Sequence, residues 1–125
     1  MELKKILLVD DDDAINFLNR LTIQEMLANC QVDEVLNGQK ALDYLAGTDA
    51  CPDIIFLDIN MPQLDGFDFL KRFDEATKCF PHSQIYMLTS SEREDERELA
   101  LSHDSVKGFW SKPLSPENLE QLIQA

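Results

Sequence analysis

Positive charge is scarce in this sequence: 11 Lys and Arg stand against 24 Asp and Glu, a formal net charge of −13. A nucleic-acid duplex or an anionic membrane would repel such a chain, so neither is expected as a partner. Histidine is limited to His82 and His103, with no neighbour at ligand spacing, which argues against zinc and leaves each as a surface or helix-end residue. No apolar run approaches the roughly 20 residues of a membrane span, and Met1-Glu-Leu-Lys-Lys5 leads straight into a strand without a leader pattern. Cys30, Cys51 and Cys79 are odd in number and widely spaced, without a Cys-x-x-Cys pair, and the expectation is a reduced, cytoplasmic compartment. Repeats, linkers and low-complexity segments are absent too. At 125 residues there is length for one core and not for two, so residues 1–125 read as a single domain.

What is present is organised around residues 52–66. Ile54 to Leu57 form an apolar run of the kind buried on both faces of a parallel sheet, and Asp58 follows it with no polar residue between. Pro62 turns the chain, Asp65 and Gly66 open a helix, and Asp68 stands three residues after its expected cap, Asp65. The same pattern appears at Ile6 to Val9, which ends in Asp10-Asp11-Asp12-Asp13. A helix is expected from Ala14 to about Ala28, inner face Ile15, Leu18, Thr22 and Met26 flanked by Phe17 and Leu21, capped by Asp12 or Asp13. Val32 to Leu36 suits an edge strand, and Asn37-Gly38 starts a helix carrying Ala41, Leu42 and Leu45.

Phe69, Leu70, Phe73 and Thr77 line a third helix, and Gln84 to Leu88 is a strand ending in Thr89. Ser91 with Glu94 has the form of a capping box for a fourth helix, whose residues 92–98 are all charged, leaving Leu99, Ala100 and Leu101 as anchors. Val106 to Trp110 is the fifth strand, with Trp110 in the core. Lys112-Pro113 follows, and Ser115-Pro116 caps a last helix carrying Leu119, Leu122 and Ile123. Strands alternating with helices through short connections predict an α/β, doubly wound, five-stranded parallel sheet with helices on both faces. In the flavodoxin-like order 2-1-3-4-5, the strand ends carrying Asp10-Asp11, Asp58, Thr89 and Lys112 become neighbours, and the strand ending in Leu36-Asn37 is left at the edge.

Three acids at one edge repel. At about 4 Å and an effective dielectric near 20, each pair costs on the order of 4 kcal/mol, so the cluster calls for a cation. Lys112 supplies one charge, and hard oxygen ligands favour Mg2+ for the rest. A carboxylate nucleophile, a magnesium site, a hydroxyl and a lysine together suit phosphoryl transfer through an acyl phosphate.

The ordered motifs L-L-V-D-D-D, P-D-I-I-F-L-D-I-N-M-P-x-x-D-G, M-L-T-S-S and W-S-K-P, spread over residues 3–124, make the chain similar to response-regulator receiver domains of two-component signalling. The resemblance implies that Asp58 is the phosphoacceptor. It also implies that Asp11, Asp58 and the backbone carbonyl of Asn60 hold magnesium, with Asp10 acting through water. Thr89 would be the switch hydroxyl, Lys112 the partner of the phosphoryl oxygens and Phe109 the switch aromatic. Two positions depart from the common pattern: Ser90 stands where Ala or Gly is frequent, and Phe109 replaces a frequent Tyr.

The reading is a stand-alone, non-enzymatic phosphoacceptor that catalyses its own phosphotransfer and autodephosphorylation. A sensor histidine kinase or phosphotransfer protein is the expected donor and an unknown downstream protein the target, with no output domain. Residues 92–98 are by default a solvated face, and Asp12, Asp13 and Asp65 caps or solvent-facing acids. A haloacid-dehalogenase-type phosphatase would want a second Asp where Asn60 stands. A flavodoxin-like cofactor carrier would want a Ser/Thr/Gly-rich phosphate loop where Asp10 to Asp13 would repel the phosphate.

Overall fold

The computed structural model describes residues 3–90 and 93–124. Elements alternate without exception: β1 Lys5–Val9, α1 Asp13–Met26, β2 Gln31–Val35, α2 Gly38–Gly47, β3 Ile54–Leu57, α3 Gly66–Ala76, β4 Gln84–Thr89, α4 Glu94–Leu101, β5 Val106–Ser111 and α5 Pro116–Gln124. All strand pairs are parallel, in the order β2-β1-β3-β4-β5, the flavodoxin-like order expected.

The sheet's pleat divides the core in two. Leu7, Val9, Ile55, Leu57, Ile85 and Met87 face one side, where α2, α3 and α4 supply Ala41, Leu42, Leu45, Phe69, Phe73 and Ala100. Ile6, Leu8, Ile54, Phe56 and Leu88 face the other, covered by Ile23 of α1 and by Leu119 and Leu122 of α5. Strands buried on both faces read as unbroken apolar runs because every residue meets a helix. The caps are local and legible: Asp12 accepts from the Ala14 and Ile15 amides, Asn37 from Lys40, and Asp65 with Asp68 closes a capping box.

Several expectations need correction. On α1 the buried residues are Asn16, Asn19 and Ile23, and the helix is rotated from the predicted phase. Of the expected inner face, Ile15, Thr22 and Met26 are half-buried, Met26 against the core, while Leu18 is 48 % exposed, as are the flanking Phe17 and Leu21 at 54 and 43 %. On α4 only Ala100 is buried, and Leu99 and Leu101 are exposed. Arg93 takes its N-cap position without capping it, and the guanidinium pairs with Asp95 instead. The capping box assigned to Ser91 and Glu94 involves Ser91, which lies outside the described residues.

Cysteine is the largest correction. Cys51, before β3, and Cys79, after α3, form a disulfide with Cα atoms 5.4 Å apart, and Cys30 is free and buried. The pair is separated by 28 residues and closed by the βα crossover, a relation that spacing in the sequence does not reveal. The thiol argument for a reducing compartment falls with it. No helix among the described residues is long and apolar enough to cross a membrane.

Candidate functional site

Parallel pairing in register brings the carboxyl ends of β1, β3, β4 and β5 to one edge. Val9 is opposite Leu57, Leu57 opposite Met87, and Thr89 opposite Ser111. The next residues outward are Asp10, Asp58 and Lys112. Hydrogen bonds between backbones continue past the strands: Asp58 N–H donates to the Val9 carbonyl at 3.0 Å, and Lys112 N–H to the Thr89 carbonyl at 3.1 Å.

Asp10 and Asp58 are buried, and Asp11 is exposed at the rim. One carboxylate oxygen from each of the three lies within 4.8 Å of the others. The Lys112 ammonium donates to Asp10 Oδ2 at 3.1 Å and to Asp58 Oδ2 at 3.3 Å, bridging the two buried acids. Asp58 Oδ1 is buried without a hydrogen-bond partner. One positive charge thus faces three negative ones.

Burial raises the pKa of Asp58, the Asp10 charge raises it further, and Lys112 with the Asn60 amide only partly offsets them. For Lys112, burial works downward, but the hydrogen bond to Asp10 and the charges of Asp58 and Asp10 outweigh it, and the net shift is up. The lysine stays charged and the acid pair stays short of cation. Three clustered carboxylates, one bearing an unpartnered buried oxygen, fit a hard divalent ion such as Mg2+.

The loop after Asp58 is shaped by backbone. Gly66 N–H donates to the Ile59 carbonyl at 2.9 Å, and a Cβ at Gly66 would lie 2.7 Å from the Asp58 carbonyl oxygen. Only glycine allows α3 to start that close to the acid. Gln63 takes a positive φ of 68° in the same loop, which nothing in the sequence signals. Asn60 is exposed at the loop's start.

Thr89 is fully buried at the end of β4, and Phe109, opposite Met87 on β5, is half-buried against the α2–α3–α4 side of the core. Trp110 packs on the other face, 4.8 Å from the Tyr86 ring and 6.3 Å from Phe56. Every residue named from sequence as a site residue is therefore at this edge or on the strands that lead to it. Sequence reading missed Asn16 and Asn19, two buried amides on α1. Their spacing with Ile23 is the signal the sequence offers, and hydrophobic periodicity passes over it because the residues are polar.

An acid cluster bridged by lysine at the carboxyl edge of a 2-1-3-4-5 sheet defines a class, and the comparisons with known proteins agree. Residues 6–124 match the response regulator receiver domain, and the chain belongs to that family of two-component systems. It is 32% identical over 98% of its length to the alkaline phosphatase synthesis transcriptional regulatory protein PhoP of Bacillus subtilis, covering 48% of that protein. It is also 32% identical over 98% of its length to hybrid signal transduction histidine kinase L of Dictyostelium discoideum, covering 7% of that protein. The chain thus spans less than half of either relative. Among solved structures, a two component response regulator from Cytophaga hutchinsonii superposes with a TM-score of 0.89 at 30% identity, over 99% of this chain and 96% of that one. Vibrio cholerae chemotaxis protein CheY4 gives 0.76 at 30% identity, over 98% and 97%.

Proposed function

We propose that residues 1–125 form one receiver domain that accepts a phosphoryl group on Asp58 from a sensor histidine kinase or phosphotransfer protein. The single observation that carries this reading is the unpartnered, buried Asp58 Oδ1 beside a lysine that bridges Asp10 and Asp58. That oxygen attacks phosphorus, the P–N bond of the donor's phosphohistidine breaks, and its electron pair leaves with the imidazole. The product is an acyl phosphate; attack of water on phosphorus later returns phosphate and the free carboxylate.

Asp11, Asp58 and the Asn60 backbone carbonyl are the proposed ligands of Mg2+, with Asp10 acting through water. The ion supplies charge neutralisation for the entering phosphoryl group. Lys112 holds a phosphoryl oxygen, and Thr89 donates its hydroxyl to another. Phe109, lacking a hydroxyl, then responds by packing alone. Full burial of one such ring contributes at most about 1.5 to 3 kcal/mol, so the two switch states lie close in energy. The face of α4, β5 and α5 is the proposed output surface, because α4 follows Thr89 and is anchored by Ala100.

The domain works as a phosphoacceptor that catalyses its own phosphorylation and autodephosphorylation, and it signals through a phosphorylation-dependent protein contact. The exposed Phe17, Leu18 and Leu21 of α1, the helix that starts beside the acid turn, offer an apolar contact for the phosphodonor protein. The net charge of −13 disfavours nucleic acid and anionic membrane as targets. A cytoplasmic location is proposed from the histidine-kinase partnership and no longer from the cysteines.

Incubation with acetyl phosphate and magnesium should add one phosphate by mass, labile to hydroxylamine and absent from Asp58→Asn. Equal labelling of that variant would refute the assignment.

A further inference from the structure

The two buried asparagines of α1 have no place in the chemistry just described, yet each holds one arm of the site. Asn16 is fully buried, and its Nδ2 donates to the Asp10 carbonyl at 3.0 Å. Asn19 is 2 % exposed, and its Oδ1 accepts from the Leu114 amide at 2.9 Å. Asp10 starts the acid turn, and Leu114 lies two residues beyond Lys112. One helical turn of α1 thus spans the acid turn on one side and the lysine loop on the other.

Packing alone would not select these side chains. Asn16 Oδ1 is buried without a partner, at a cost that an apolar residue of similar volume would not incur. It lines a small void together with Asn19, Asp10 and Asp58, whose Oδ1 is likewise unpartnered. An unmatched amide retained beside a reactive carboxylate marks a site where placement outweighs stability.

We propose that Asn16 and Asn19 are positioning residues that set the placement of Asp10 and Lys112 relative to Asp58. They act through the backbone: Asn16 holds the carbonyl from which the Asp10-Asp11 turn departs, and Asn19 holds the amide that fixes the loop after Lys112. The Lys112 bridge to Asp10 and Asp58 depends on both holds, because each bond tolerates only a few tenths of an ångström. This inference rests on Asp58 being the phosphoacceptor.

The test compares Asn16→Leu and Asn19→Leu with Ile23→Val, which loosens α1 packing and touches neither arm. Melting temperature and the acetyl phosphate labelling rate are measured for each with magnesium. Both Asn variants should label at least tenfold more slowly at saturating acetyl phosphate, with the loss in kcat. Ile23→Val should lower the melting temperature and keep the wild-type rate. Asn19→Asp, which keeps the accepting oxygen, should recover much of the rate. Should either Leu variant fail to fold, Asn16→Ser and Asn19→Ser, which shorten the side chain without added bulk, carry the same expectation. Independently of labelling, amide chemical shifts of Asn19→Leu should change at Lys112 and Asp58. Wild-type rates in the Asn variants, or rates that track melting temperature across all variants including Ile23→Val, would overturn the proposal. Failure of the wild type to label, with the shift changes present, would count against the phosphoacceptor reading and leave the positioning intact.

Discussion

Helices α3 and α4 each follow a strand whose end carries a site residue, Asp58 before one and Thr89 before the other, and they are built in opposite ways. α3 opens on a reciprocal capping box, stacks Phe69 on Phe73 at 5.8 Å in the core, and is tied beyond its C-terminal end by the Cys51–Cys79 disulfide. α4 has no side-chain cap, buries Ala100 alone among its residues, and leaves Leu99 58 % exposed. The helix after Asp58 is fixed, and the helix after Thr89 is lightly held. Under the proposed function, that distribution of packing keeps the geometry at Asp58 constant and leaves the element after Thr89 free to shift.

That contrast can be broken from either side. Phe73→Ala should cost about 3 to 5 kcal/mol in denaturant unfolding, because a fully buried ring leaves a cavity under α3. Cys51→Ser should cost roughly 3 to 4 kcal/mol in the chain-entropy description of a loop of this length, and a dithiol reductant should lower the wild type to the same midpoint.

Asp58→Asn should stabilise the metal-free protein at neutral pH, because burial and the Asp10 charge hold the native carboxyl above its ordinary range. The sign follows from linkage. A raised native pKa means the folded state binds the proton more tightly than the unfolded state, so the wild type loses stability as pH rises from the ordinary carboxylate range through the native value. The advantage of the Asp58→Asn variant over the wild type should therefore shrink on acidification, as read from melting curves across pH. The smallest effect belongs to α4: Leu99→Ala should change stability by no more than about 0.5 kcal/mol. A cost near that of Phe73→Ala would erase the distinction between the two helices.

The sheet order and the gathering of the candidate site residues were legible because Asp10 and Asp58 are chemically at odds with the apolar runs before them, Ile6 to Val9 and Ile54 to Leu57. Their neighbours could then be placed by topology alone. The phase of α1 was not legible, because Phe17, Leu18 and Leu21 are apolar and Asn16 and Asn19 are not. Hydrophobic periodicity assumes that amides go to water, and here they find the Asp10 carbonyl and the Leu114 amide, partners outside the helix. Cys51 and Cys79 escaped for a related reason, since only the crossover brings them together. The lone Ala100 anchor of α4 could be foreseen only in direction, because charge over residues 92–98 limits docking without saying which of three apolar residues turns inward.

The chain contains one tryptophan, and its position on β5 makes the domain its own optical instrument. Trp110 adjoins Phe109 in sequence and lies 4.8 Å from Tyr86, where a Cβ at Gly108 would sit 2.6 Å from the tyrosine ring. Indole emission responds to the polarity and packing of the groups around the ring. Emission recorded while magnesium and beryllofluoride are added therefore follows the strand next to the lightly held helix in real time, without a label or a partner.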